Sequence, residues 1–295
     1  LVYSREDDMS AGIYRPSSKY KIRAAIKEGN LTGYHLTEVS INSGMWDSLA
    51  QYFPAGAVEN LLIESNALPS NITTGAWRAP ITNFMAVAEQ SFLSEVAQII
   101  GVDPLDFRIR LYERAKNERV GGEIGYEPEK LIGVTKLVAE KANWGNPEPG
   151  VSQGLSVYYS HNTYVAEIAE VVMENEKPRV KKVTVAVDCG IVINPLAASN
   201  QIEGGVVDGI GHAMYGDFAF ENGRPIQTNF DRYRMIRIGE APEVETHFVE
   251  SYNDPTGLGE PTLPPAGGAV ANALFNATGE RIYKIPFVSQ SELLG

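Results

Sequence analysis

The chain has 295 residues and a formal net charge of −12 at pH 7, with 43% apolar and 21% charged residues. That composition is ordinary for a globular protein with a real core, and its negative charge argues against nucleic acid or an anionic membrane as the main partner, since both would repel it. No stretch approaches the roughly 18 consecutive apolar residues of a membrane-spanning helix. Cys189 is the only cysteine, which excludes an intrachain disulfide and a cysteine-ligated metal or iron–sulfur centre. His35, His161, His212 and His247 stand far apart, without HxH or HExxH spacing. A catalytic metal would therefore arrive inside a cofactor.

The opening Leu1-Val2-Tyr3-Ser4-Arg5 reads as the middle of a strand followed by a charged turn, the start expected of a fragment or a processed product. Tyr20–Ile26, Gly29-Asn30 and Thr37–Ile41 predict a hairpin around a glycine turn. Trp46–Phe53 and Pro54 predict an excursion between strands, and residues 57–66 fit a short helix or a strand equally well. A helix is clear over Asn83–Ile100, where Phe84, Val87, Ala88, Phe92, Val96, Ile99 and Ile100 recur at three- and four-residue intervals and Gly101 stops it. Asp103-Pro104 starts a second helix, and a third is expected from about Pro128 to Lys141. Asn146-Pro147-Glu148-Pro149-Gly150 is the best internal boundary, dividing 1–145 from 151–295. Beyond it, 154–159, 164–172 and 182–187 read as strands, and Asn194-Pro195 opens a Gly- and Ala-rich helix to about Met214. Strands are expected near 215–220 and 243–250, then a helix from about Pro264 to Thr278 with Gly279 at its C-cap. Strands and helices mix without βαβ alternation, so the fold class is α+β.

Glycine concentrates in three places: Gly75-Ala76-Trp77-Arg78-Ala79-Pro80, Gln201-Ile202-Glu203-Gly204-Gly205 through Gly211, and Gly257-Leu258-Gly259-Glu260-Pro261. Small residues let a backbone approach a bulky ligand, and helix starts offer free N–H groups. Helix–helix packing for the second cluster and ordinary turns for the others explain the same pattern.

Taken in order, Ser4–Met9, Tyr14-Arg15-Pro16, Gly75–Pro80, Val187-Asp188-Cys189-Gly190 with Asn194-Pro195, Gln201–Gly205 and Gly259-Glu260-Pro261 form a series, closing with Ala271-Asn272-Ala273, Ala277-Thr278-Gly279 and Ile285-Pro286-Phe287. The series resembles the large, molybdenum-cofactor-binding subunit of the xanthine oxidase and aldehyde oxidase family, and looks closest to its isoquinoline 1-oxidoreductase β-subunit branch, whose members are often called aldehyde dehydrogenases. The resemblance covers Val2 to Phe287. It implies mixed sheets with packed helices, and a molybdopterin cofactor, the cytosine dinucleotide form, in the complete enzyme. It also implies the chemistry of that family: a glutamate deprotonates a molybdenum hydroxo ligand, whose oxygen attacks an electron-poor carbon of an aldehyde or N-heterocycle while hydride passes to a sulfido ligand. Electrons then leave for a small 2Fe–2S subunit or a cytochrome. The protein supplies position and a proton acceptor.

By motif the base falls on Glu260, with Gly257 and Gly259 letting the backbone pass near the metal. Arg78 matches the arginine of the loop beside the metal, with Trp77 and Ala79 flanking the pocket, and Gln201 matches a glutamine that hydrogen-bonds the pterin. Glu203 is expected to hold its helix start, Cys189 to be a small core residue, and His161 and His212 are unassigned. The family's Gly-Gly-Phe-Gly and Gly-Gln-Gly segments have no match here. The chain by itself is thus expected to bind no molybdopterin and to be inactive, with the N-terminal half of the molybdenum subunit as partner. A non-catalytic assembly module is the alternative, and it expects an exposed apolar patch around 75–85 and 201–211. A hydrolase is a poorer one, because no Gly-x-Ser-x-Gly motif is present.

Overall fold

The computed structural model describes residues 1–43 and 50–288, apart from the side chain of Phe84. The chain begins with α1 (Arg5–Ser10), a single capped turn rather than the expected strand. The cause is local: Ser4 and Asp7 form a reciprocal capping box, which satisfies the orphan N–H groups of the first turn. Strands β1 (Ser18–Lys27) and β2 (Asn30–Ile41) form the predicted hairpin, turning through Glu28 and Gly29, both at positive φ. Residues 57–66 resolve as strand β3 (Asn60–Leu68), which runs parallel to β2. The excursion expected over Trp46–Phe53 lies partly outside the described residues; Phe53 itself packs edge-on against Tyr112.

Three helices follow: α2 (Thr82–Ile99), α3 (Pro104–Asn117) and α4 (Pro128–Lys141). Asp103 caps α3 by accepting from the Leu105 and Asp106 N–H groups, and Gly101 breaks the preceding helix at φ +70°. Strands β4 (Ser152–Ser160), β5 (Thr163–Glu174) and β6 (Lys177–Asp188) then make an antiparallel meander. Helix α5 (Pro195–Tyr215) is capped by Asn194. The strand expected near 215–220 shrinks to β7 (Phe220–Glu221), paired with β8 (Arg224–Pro225). Aromatic packing dominates there instead: Phe218 and Phe220 both pack on Tyr14. Strand β9 (Glu243–Phe248) returns parallel to β6, and α6 (Leu263–Thr278) ends at Gly279 in the left-handed region. The result is a four-stranded mixed sheet in the order β4-β5-β6-β9 beside a three-stranded one.

The period-2 alternation of β4 and β5 sorts side chains between two cores. Leu155, Val157, Ala166 and Ile168 face α3 and α4, in a cluster running from Leu31 to Ala186. That cluster takes residues from both sides of the Asn146–Gly150 linker. Val165, Ala169, Val185 and Val187 face α5 and α6.

The free edge of β4 is sealed by side chains from three helices. Gln90 Oε1 accepts from the Val157 N–H, and Asn272 donates to the Leu155 carbonyl. Arg108, fully buried, holds Gln90 in place through both its side-chain and backbone oxygens and also donates to Ser94 Oγ and the Pro104 carbonyl. A buried guanidinium with its donors placed in this way would be costly to leave unpaired.

Glycines set how closely α6 approaches. A Cβ at Gly154 would sit 2.1 Å from the Ala273 nitrogen and 2.3 Å from the Ala269 carbonyl oxygen, so α6 rests on the β4 backbone. On its other side, Gly209 of α5 leaves 2.6 Å between its missing Cβ and the Leu263 carbonyl oxygen, and Gly205 leaves 2.1 Å to Thr262 Oγ1. Packing against the start of α6 therefore accounts for two glycines of the second cluster, Gly205 and Gly209. Gly154→Ala must push α6 off the sheet and is expected to lower the unfolding free energy by about 2 kcal/mol or more, as overpacked cores do. Urea denaturation measures this, and an unchanged midpoint would contradict the close contact.

Candidate active site

The turn ahead of α6 is where three segments meet. Leu263 N–H bonds the Glu260 carbonyl, so the Glu260 backbone joins the first turn of the helix while its side chain leaves sideways. One carboxylate oxygen, Oε1, accepts from the Ala79 N–H at 3.2 Å. The other, Oε2, lies 3.0 Å from Nε2 of His161, and the Glu260 and His161 side chains are 38% and 33% exposed. A carboxylate held on both oxygens yet open to one side is a group that can take up a proton from a bound ligand.

The loop that supplies the Ala79 N–H is strained. Ala79 and Ile81 both have positive φ, +56° and +67°; Ile81, at ψ −57°, is the centre of a γ-turn closed by the Thr82 N–H on the Pro80 carbonyl, a strained conformation for a β-branched residue. The surroundings hold it by hydrogen bonds: Asn83 Nδ2 donates to the Arg78 carbonyl and, at longer range, the Trp77 carbonyl, and Thr82 Oγ1 donates to the Ala79 carbonyl. Behind the loop Ile81, Met85 and Ala86 pack with Tyr158.

Arg78 reaches across to the other two glycine-rich segments. Its guanidinium donates to the Gly259 carbonyl at 2.6 Å, to the Gln201 carbonyl at 3.3 Å and to Asp208 at 3.3 Å. The arginine thus stitches the three clusters together. Gln201 enters this contact through its backbone, and its side chain is exposed. Glu203 is exposed too and lies well inside α5, so Asn194, not Glu203, holds the helix start. Cys189 is a buried core residue, with its thiol pushed up by burial.

Trp77 is half-buried against His212, with ring centroids 4.9 Å apart, and Arg15 lies over its face at 5.6 Å. Arg15 also donates to His212 Nε2, so that nitrogen must carry a lone pair and the imidazole is neutral. Burial, then the neighbouring guanidinium, pushes His212 down to about 3, and burial takes Arg15 down to about 10. The exposed apolar patch that an assembly module would need at 75–85 and 201–211 is not found among the described residues: Ala79, Ile81, Met85, Ala86, Ile202, Val206 and Ile210 are all buried.

Sequence reasoning missed His161, Ser160, Thr82 and Asp208. A signal existed for His161, because Ser160-His161-Asn162-Thr163 is a two-residue connection between two β patterns and so marks the end of the sheet. The partners of Asp208 and Thr82 are far away in sequence, and nothing local announces them.

A profile of the molybdopterin cofactor-binding domain matches residues 62–242, more than half of the chain. The chain belongs to that family. It is 25% identical over 321 aligned residues to the membrane-bound aldehyde dehydrogenase (pyrroloquinoline-quinone) of Gluconacetobacter polyoxogenes, covering 97% of this chain and 41% of the relative. That relative's name carries a quinone, whereas the family profile is of a molybdopterin domain, and it is the profile that places this chain. The β subunit of isoquinoline 1-oxidoreductase of Brevundimonas diminuta is 24% identical over 316 residues, covering 97% of this chain and 38% of that subunit. The chain therefore spans about two fifths of the length of these relatives. The fold is similar to that of quinoline 2-oxidoreductase from Pseudomonas putida 86, with a TM-score of 0.77, 13% identity, and coverage of 99% of this chain and 63% of that one. The α+β architecture of the molybdenum-binding subunits is thus present here.

The residues at the junction fit one wall of such a cofactor site. A Cβ at Gly257 or Gly259 would meet no other atom within 4 Å among the described residues, and one at Gly204 would meet only Arg78, at 4.0 Å. This bare backbone edge runs up to the Glu260 carboxylate, which suits the approach of a flat ring system. No group of three or more metal-ligating side chains occurs among the described residues.

The neutrality of His212 makes a pH prediction. Its folded value of about 3 lies below the unperturbed value near 6.5, so below that point the unfolded chain binds a proton that the folded chain refuses. The stabilising contribution is complete above about pH 6.5 and is lost as pH falls toward 3. In urea unfolding series between pH 7 and 4, the parent should lose more stability than His212→Phe. Parallel curves would show that His212 titrates normally.

Proposed function

We propose that this chain is the part of a molybdenum hydroxylase subunit that carries its proton acceptor, Glu260, and one wall of its cofactor site. The enzyme would oxidise an aldehyde or an N-heterocycle with oxygen derived from water. The observation that carries the reading is the seating of the Glu260 carboxylate between the Ala79 N–H and His161, beside an open glycine edge. The family to which the chain belongs supports the choice of cofactor.

When bound, molybdopterin (here its cytosine dinucleotide form) supplies the two-electron redox step. The chain's residues supply position and proton uptake. Gly259, Trp77 and Ala79 offer backbone to the cofactor's near face, and the exposed Gln201 amide can hydrogen-bond the pterin. Arg78 uses its donors on Gly259, Gln201 and Asp208, so its part is to fix the relative placement of the segments rather than to bind the cofactor. Glu260, poised at the edge with one donor on each oxygen, takes up the proton that must leave the oxygen nucleophile before it can attack carbon. Partners on this reading are the N-terminal half of the subunit, which completes the cofactor cradle, and a small 2Fe–2S subunit or a cytochrome that removes the electrons.

Glu260→Gln keeps the shape and one accepting oxygen, with its NH2 facing His161, but removes the base. In the complete enzyme, with molybdenum content matched to the parent, kcat should fall by about 10²–10⁴-fold, the usual contribution of a positioned acid–base group; near-parental turnover would show that Glu260 is not the base. The 295-residue chain purified alone is expected to retain no molybdenum, because it supplies one wall only. Elemental analysis finding near-stoichiometric metal would contradict this.

A further inference from the structure

The contact between His161 and Glu260 is backed by a group of polar contacts through Ser160 and Thr82. Nε2 of His161 lies 3.0 Å from Glu260 Oε2. Its Nδ1 lies 2.6 Å from Ser160 Oγ, which is 3.1 Å from Thr82 Oγ1. Thr82 Oγ1 reaches the Ala79 carbonyl, and the Ala79 N–H returns to Glu260 Oε1. An ionised carboxylate only accepts, so Nε2 must carry the proton and donate it. Ser160 Oγ, 2.6 Å from Nδ1, is then the group that orients the ring from its other side. Ser160 and Thr82 are buried, so water does not compete for these bonds. Thr82 has one proton, given either to Ser160 Oγ or to the Ala79 carbonyl, and the contacts on both ring nitrogens fix the angle of the imidazole.

We infer that His161 is a positioning residue for Glu260: its Nε2–H, with the ring oriented by Ser160, holds one carboxylate oxygen while the Ala79 N–H holds the other. The inference rests on the reading of Glu260 as the base. With each oxygen given one donor, the carboxylate plane is fixed and its remaining lone pairs face the glycine edge. The turn itself supports a role beyond folding. His161 and Asn162 are the two central residues of the β4–β5 hairpin, both at positive φ (+53° and +63°). That is the type I′ geometry, in which asparagine or glycine is far more comfortable than histidine at the first position.

The histidine can therefore be tested apart from the fold. His161→Asn suits the turn and should leave the melting temperature unchanged or raise it, yet its short side chain cannot reach Glu260. In the complete enzyme it should lower kcat about tenfold or more, with KM and molybdenum content unchanged. His161→Gln presents an amide N–H to Oε2 and should restore most of the loss. A spectroscopic readout needs no cofactor: in the 295-residue chain at neutral pH, long-range ¹H–¹⁵N spectra should show His161 as the Nε2–H tautomer, the resonance being assigned by its absence in His161→Gln. An Nδ1–H tautomer, or parental kcat in His161→Asn while Glu260→Gln is inactive, would overturn the positioning role. Failure of the base reading would show separately, as turnover retained in Glu260→Gln.

Discussion

The approach of α6 to the backbone on either side of it is the constraint on which the site depends. Gly154 of β4 and Gly205 and Gly209 of α5 leave no space for even a methyl group against Thr262, Leu263 and the body of α6. Helix α6 is therefore clamped between β4 along its middle and α5 at its start. Glu260 is two residues upstream of Thr262 and shares a hydrogen bond with the helix start, so its Cα is placed by core packing rather than by a loose loop. Sites built on rigid elements keep their geometry better than sites on free loops.

From this anchor the remaining parts follow by reach. Arg78 ties the Gly259 carbonyl to the Gln201 carbonyl and Asp208 of α5, so the Glu260 turn, the strained loop and the glycine-rich helix cannot move independently. The strain at Ala79 and Ile81 points the Ala79 N–H at the carboxylate, and it is held by Asn83, Thr82 and the apolar cluster behind. Strain that persists only because its surroundings over-determine it is typical of functional sites. The Arg15–His212–Trp77 stack then buttresses the loop from the N-terminal side.

Much of the fold was legible because its helices and strands are long enough for periodicity to speak. The interior helices and the β4–β6 meander lie close to their predicted spans. Helix α1 was not legible: it buries no residue and exists through a capping box alone. Residues 57–66 were ambiguous since a short apolar run fits a helix or a strand, and only pairing with β2 decides. At the site, glycine density marked the three segments that converge, but could not say which glycines pack helices and which stay open. Gly205 and Gly209 do the first, Gly257 and Gly259 the second. Arg78 was identified by motif, yet its function as a stitch depends on Asp208 and two carbonyls distant in sequence. His161 was passed over because a lone histidine in a turn has no local partner, and its carboxylate comes from the far end of the chain.

The central claim is that packing around α6 delivers the Glu260 carboxylate to the reacting edge of a molybdenum cofactor. The most direct measurement is a high-resolution structure of the complete, cofactor-loaded enzyme. The account predicts the Glu260 side chain directed at the metal's ligand sphere, with the Ala79 N–H and His161 Nε2 still on its two oxygens and the Gly257–Gly259 edge against the cofactor. A cofactor bound on another face, with Glu260 turned away from it or engaged in an interface, would contradict the account.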